Sequence, residues 1–323
     1  MSADISTYGK WYFFFFQGLE ITNNSHDLEN PLFYDTTILS DDNILGIIEC
    51  DSREHHIDFL SLTTHSSIIA VRNDTSVNNS NNDKIQLLCF NRAKEIGALL
   101  SIYSINQQFT LQSGLIYQPF GFINDIFKPR LQYTFTIDFS DPRPSYHIKR
   151  INDDDMICDM IKKCNVSRED IRRNLSNEVY KNIASILGFK TANIDLTFRK
   201  AIKLAAINYY HSVHNPNIDQ QLLGMLTTLE VLLRIPNDDY DKFKKRLNLL
   251  VGDDIFNGLD VVKILTARHN YVHRTKQITD NMLVMKSIIL ATYSIIKFAD
   301  YTQIYNTKDH IINEMDVGSF NRI

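Results

Sequence analysis

Glycine, proline, cysteine and tryptophan are scarce in this chain, at 11, 7, 4 and 1 of 323 residues. That scarcity, without any three-residue period, excludes a collagen-like or low-complexity chain. There is no Gly-rich phosphate loop, no GxSxG turn and no paired aspartates of the nucleotidyltransferase kind, so the usual signals of nucleotide- and ester-handling enzymes are missing. The cysteines, Cys50, Cys89, Cys158 and Cys164, have neither CxxC spacing nor a repeated Cys/His pattern. Nothing there suits tetrahedral zinc, and reduced thiols are the simplest account. Long uninterrupted apolar runs are absent too. The stretch Met282 to Ala299 is cut by Lys286 and Lys297 and reads as an amphipathic helix rather than a membrane span. The start carries Asp4 and the aromatic residues Trp11 to Phe16, without the basic region of a signal peptide. We expect a soluble, cytoplasmic protein with no membrane partner.

Excess positive charge is lacking as well. The formal net charge is -4; residues 1–150 hold 11 Lys/Arg against 17 Asp/Glu, and residues 151–323 hold 23 against 21. A general nucleic-acid coat needs a net basic face, so only a local basic site fits this balance. With 44% apolar residues the chain can bury a sizeable core, and its length suits two domains.

The first 140 residues alternate short apolar segments with polar turns. Lys10–Leu19, Ile44–Cys50, His56–Leu62, Ser67–Val71, Ile85–Phe90, Gly114–Phe122 and Gln132–Phe139 are rich in β-branched and aromatic side chains, as strands are. Alternation over Tyr133–Ile137 puts Tyr133, Phe135 and Ile137 on one face. Arg72–Lys84 reads as a turn, and one helix is expected over Arg92–Ser104, with Ile96, Leu99, Leu100 and Tyr103 at helical spacing. Two prolines in Ser140–Ser145 mark a boundary. Beyond it Ser167 and Asp170 read as a helix cap and its first-turn acid. Helices are expected at roughly 177–188, 195–213, 217–234, 239–250, 257–273 and 280–304. Ile218, Leu222, Met225, Leu229 and Leu232 step by four, three, four and three, and Met285, Ile288, Ile289, Thr292, Ile295, Ile296 and Ala299 form a second stripe. Short loops then predict antiparallel packing. The expected fold class is α+β: a mostly β domain over 1–140, connecting helices over 141–190, an all-α bundle over 191–305 and a C-terminal tail over 306–323.

The string that carries chemistry is Leu265-Thr-Ala-Arg268-His269-Asn270-Tyr271-Val272-His273-Arg274, at the end of an amphipathic helix. An arginine, a polar residue straight after it and a histidine five positions on follow a helix containing Thr228-Leu-Glu230-Val-Leu-Leu233 and a basic helix containing Lys245-Arg246-Leu-Asn-Leu-Leu250. This arrangement over about 195–305 resembles the HEPN superfamily, and more narrowly the ApeA-like group of prokaryotic HEPN proteins. The front 150 residues carry no such resemblance. The resemblance implies a metal-independent endoribonuclease without cofactor. In it, RNA is cut by attack of the 2′-hydroxyl on the neighbouring phosphate, Arg268 and His273 are catalytic, and His269 and Asn270 assist. It also implies a homodimer that forms one composite cleft, a setting in anti-phage defence or toxicity, and RNA, transfer RNA included, as substrate.

The residue types suit that chemistry. Histidine can move a proton near neutrality, and a guanidinium fork matches two phosphoryl oxygens without losing its own proton. A five-residue step turns about 140° on a straight helix, so Arg268 and His273 flank it, and a second chain could complete the site. The competing reading makes Arg268 and His273 a basic helix end, with Val272 in the core. Glu230, inside an apolar stripe, is expected as structural support paired with Arg246 or Arg268. Arg274 and Lys276 are candidates for RNA phosphate contact. Lys245 and Arg246 are further candidates, set against a solvated helix whose charges pair with Asp238, Asp239 and Asp241. His211 with His214 is a weak metal pair, His55-His56 suits a strand edge, and Phe13 to Phe16 suits a buried strand better than base stacking. The front domain is expected to sense an unknown trigger. The rival function is a non-catalytic HEPN module that binds RNA or a partner, or only dimerises.

Overall fold

Six consecutive aromatic side chains, Trp11 to Phe16, favour extended backbone, and they lie in β1 (Lys10–Gln17). The computed structural model describes residues 10–17, 19–21, 36–39, 66–72, 82–111, 130–138, 147–150, 164–166, 173–188, 194–215, 217–274 and 276–322. The expected strands Ile44–Cys50, His56–Leu62 and Gly114–Phe122, His55-His56, the Ser140–Ser145 boundary and the Ser167 cap lie outside these residues. The chain divides into two units, one made of residues 1–97 and 127–175, the other of 98–126 and 176–323.

In the first unit, β1 pairs antiparallel with β4 (Ser66–Arg72) on one side and β5 (Arg130–Asp138) on the other. With β3 (Thr36–Leu39) and β6 (His147–Arg150) this gives the order β3-β4-β1-β5-β6. β2 (Leu19–Ile21) and β7 (Cys164–Val166) form a separate parallel pair. Tyr12 and Phe14, two apart and so on one face, are buried, and the Phe14 ring stacks on Phe90 at 5.7 Å. Phe90 belongs to α1 (Asn82–Leu111), which replaces both the expected turn over its first residues and the expected strand Ile85–Phe90. A short apolar run fits either period, and here Leu87 and Leu88 stay exposed while Cys89 is buried.

The second unit is all-helical among its described residues. It contains the later part of α1, then α2 (Lys181–Gly188), α3 (Leu196–Val213), α4 (Ile218–Leu233), α5 (Tyr240–Val251), α6 (Asp253–Gly258), α7 (Val261–Arg274), α8 (Asn281–Asp300) and α9 (Lys308–Val317). Side chains of Asp195, Asn217, Asp239, Asp280 and Thr307 accept from backbone N–H groups in the first turns of α3, α4, α5, α8 and α9. Each such cap is worth about 1 kcal/mol. The expected helix 257–273 is instead two helices, α6 and α7, separated by Leu259 and Asp260. Asp260 has φ 52°, a left-handed conformation that aspartate tolerates better than most side chains, and Lys263 and Lys286 both pair with it. The region expected to be a tail holds α9, whose Ile311, Ile312 and Met315 are buried.

α4 packs on both α3 and α8. Leu222, Met225, Leu226, Leu229, Leu232 and Leu233 are buried along it. α8 is long and apolar enough by composition to cross a membrane, and 67% of that stretch is buried inside the fold. Tyr209 on α3 and Thr292 on α8 share a buried hydrogen bond of 2.7 Å. α3 and α4 approach closely because Gly224 faces Ser212: a Cβ there would lie 1.9 Å from Ser212 Oγ and 2.7 Å from its Cβ. Alanine for glycine in a helix gains about 0.5–1 kcal/mol on propensity, but overpacking costs about 1–3 kcal/mol. We expect Gly224→Ala to lower the denaturation midpoint, and Ser212→Gly in that background to restore part of the loss.

Candidate functional site

Glu230 occupies the last turn of α4, where Arg234 follows it at the i+4 spacing that brings helical side chains together. Arg234 Nη1 donates to Glu230 Oε2 at 3.5 Å, and Arg268 Nη2 of α7 lies 2.9 Å from Glu230 Oε1. The second contact is an ion pair without hydrogen-bond alignment. Tyr240, the first residue of α5, places its ring 5.2 Å from the Arg268 guanidinium carbon. Burial pushes the Tyr240 hydroxyl above its ordinary range, against the lowering effect of Arg268. Two arginines thus share one carboxylate, and an aromatic face supports one of them. The Arg268 side chain is 25% exposed and Glu230 17%, so the arginine is braced without being fully buried.

The other motif residues follow α7 toward its C-terminus. His269 and His273 are exposed, one turn apart, with ring centres 4.7 Å apart. Val272 is 49% exposed, so it is not the core contact that the basic-helix-end reading requires. Asn270 is half-buried and its carbonyl accepts from the Lys276 backbone N–H at 3.3 Å. The next segment is tied down at Ile278, whose backbone N–H donates to Asp219 Oδ1 at 2.7 Å on the first turn of α4. Arg274 and Lys276, both exposed, lie between the motif and this junction. Within one chain, then, Arg268 is drawn toward α4 and α5, and His273 stands with His269 on the open side of α7.

Lys245 is exposed on α5. Arg246 differs completely: it is 1% exposed, and all five of its N–H donors are used. Nε donates to Asp316 Oδ1 at 2.8 Å, Nη1 to the Leu233 carbonyl at 2.9 Å and to Asp238, and Nη2 to Asp316 Oδ2 at 2.6 Å and Asp238 Oδ1 at 3.3 Å. It is a structural residue with no donor left for a phosphate, and Glu230 pairs with Arg268 and Arg234 rather than with it. Lys308 of α9 donates to the Val231 and Arg234 carbonyls at 2.7 and 3.3 Å, and burial lowers its pKa. Cations thereby satisfy the carbonyls of α4's end, where the helix dipole is negative.

No family model, curated protein or solved structure matches this chain. Among the described residues no group of three or more His, Cys, Asp and Glu is placed to hold a metal ion. His211 is exposed, and His214 packs edge-on against Tyr210 at 4.4 Å. Sequence reasoning missed Arg234, Tyr240 and Asp316. Only Arg234 had a local signal, four residues after Glu230.

Breaking a buried ion pair from one side costs about 3–5 kcal/mol, so Arg246→Met is expected to unfold at markedly lower denaturant than wild type. The Arg246 guanidinium holds the Asp238 and Asp316 carboxyls below the ordinary range. Their contribution is complete above about pH 4, the unfolded value, and is lost as pH falls through the lowered folded values. Chemical denaturation against pH is expected to show this acid loss in wild type and a shallower one in Arg246→Met.

Proposed function

We propose that this chain is a metal-independent endoribonuclease of the HEPN type, acting as a cytoplasmic homodimer in prokaryotic anti-phage defence or as a toxin. The observation that carries this reading is Arg268, its guanidinium braced by Glu230 and Tyr240 and its side chain still a quarter exposed, on the helix that also presents His269 and His273 in the open. A cation held in place before substrate arrives is what stabilising charge on a phosphoryl group requires.

In the proposed reaction His273 accepts the 2′-hydroxyl proton as O2′ attacks the adjacent phosphorus. The P–O5′ bond breaks, O5′ takes a proton from water, and the products are a 2′,3′-cyclic phosphate and a 5′-hydroxyl. Arg268 balances charge on the non-bridging oxygens, and His269 and Asn270 assist in orienting the phosphate. Arg274, Lys276 and Lys245, all exposed, supply contacts to the RNA backbone. Because Arg268 and His273 flank one helix, the working site combines Arg268 of one chain with His273 of a second across a two-fold axis. The front half is proposed as a mostly β sensor that restrains the nuclease, a reading supported by the described strands and by its position in the chain.

One observation favours a non-catalytic alternative: Glu230 already neutralises Arg268, as in an ion pair that merely locks two helices. RNA cleavage measured in EDTA decides between them. We expect wild type to cut RNA, His273→Ala to lose about 10²–10⁴-fold in rate, the range of general acid–base catalysis, and Arg268→Ala to lose activity while still binding RNA. Binding without cleavage in wild type and both variants would establish the alternative.

A further inference from the structure

Two imidazoles stand side by side on the exposed surface of α7, and the reaction proposed above uses only one of them as a base. His269 and His273 have ring centres 4.7 Å apart and ring planes at 46°. Among the described residues no carboxylate lies within salt-bridge distance of either ring, and Arg268, the adjacent cation, is drawn to Glu230. Val262, Thr266 and Val272 on the surrounding helix surface are exposed, and the Thr266 hydroxyl donates back to the Val262 carbonyl at 2.8 Å. The approach to the two rings is open.

Histidines at i and i+4 on one helix face can ligate one metal ion. With Zn–N bonds of about 2.0–2.1 Å and tetrahedral angles, the centres of two such rings lie roughly 5 Å apart. The separation of 4.7 Å in this chain is close to that requirement. Imidazole ligands select Zn²⁺, Ni²⁺ and Cu²⁺ over Mg²⁺ and Ca²⁺. We propose that His269 and His273 form a two-histidine clip for a divalent transition metal of this class, with water in the remaining positions. Such an ion is a ligand of the protein rather than a cofactor. Resting on the nuclease reading, one consequence follows: a lone pair given to the metal cannot accept the 2′-hydroxyl proton, so the filled clip blocks cleavage.

Calorimetric titration of Zn²⁺ into the full chain in chelator-free buffer tests the clip. The expected result is saturable binding that His269→Gln and His273→Gln each weaken by about tenfold or more, with no binding of Mg²⁺ at the same concentrations. Both positions are exposed, and circular dichroism checks that the variants fold. Equal Zn²⁺ affinity in wild type and the His269→Gln/His273→Gln double variant overturns the proposal, as does the absence of saturable binding in wild type. None of these readouts involves RNA, so a chain that fails to cut RNA in EDTA counts against the nuclease reading alone. In a chain that does cut, loss of cleavage as Zn²⁺ fills the clip supports the block, and full activity with the clip filled refutes it.

Discussion

Five hydrogen bonds around the Arg246 guanidinium hold together three pieces of chain that local forces would not bring to one place. Placing a charged side chain in the interior costs several kcal/mol unless every donor finds an acceptor. Arg246 meets that condition only when the Leu233 carbonyl, Asp238 and Asp316 converge on it from the end of α4, the following loop and α9. Two carboxylates around one guanidinium leave a negative excess, and Lys308, a second cation on α9, offsets it while also capping α4. The direction in which α4 ends is thereby set, and with it the position of Glu230 in its last turn. Charge that the sequence presents as a basic patch is spent in building the site rather than in touching a ligand.

That fixed helix end determines how Arg268 behaves. An arginine on an exposed helix loses rotamer entropy whenever it engages a ligand, and a partner that restrains it beforehand reduces that loss. Glu230 provides the restraint, and Tyr240 adds a face that a guanidinium can lie against. The same carboxylate competes with any phosphate for the cation. A phosphate that takes Arg268 from Glu230 leaves the carboxylate its second partner, Arg234, so the buried charge is not left unpaired. Bracing and availability are therefore compatible in this geometry.

How far the sequence disclosed this arrangement depended on the range of each interaction. The helical unit was legible because its signals are local: apolar stripes on α4 and α8, and caps such as Asn217 and Asp280, each act within a few residues. Glu230 was recognisable as a carboxylate that needed a partner, since an unpaired charge among leucines is costly. Its choice of Arg268 over Arg246 was not recognisable, because that is decided by which arginine finds other acceptors first. Arg246 finds Asp316, 70 residues away on a helix that reads as a tail. The break at Leu259 and Asp260 was equally hidden, since Lys286 stabilises it from α8. Ile85–Phe90 misled for the opposite reason: a short apolar run carries no period, and its helical state is set by what precedes and follows it.

The distribution of residues around α7 sets a last constraint. Arg268 leans toward α4 and α5, whereas His269 and His273 face away from the bundle, as the rotation of about 140° over five residues requires. A single chain therefore turns its cation toward Glu230 and leaves its imidazoles on the exposed side of the same helix. A reaction that needs both within reach of one phosphate must bend the helix, move Arg268 off Glu230 or recruit a second copy. Bending would strain the hydrogen bond from the Ile278 N–H to Asp219 that ties the segment after α7 to α4. Releasing Arg268 would leave Glu230 with Arg234 alone. Recruitment of a second copy, as proposed, is the one route that breaks neither contact, and Val262 and Val272 are exposed on the same helix.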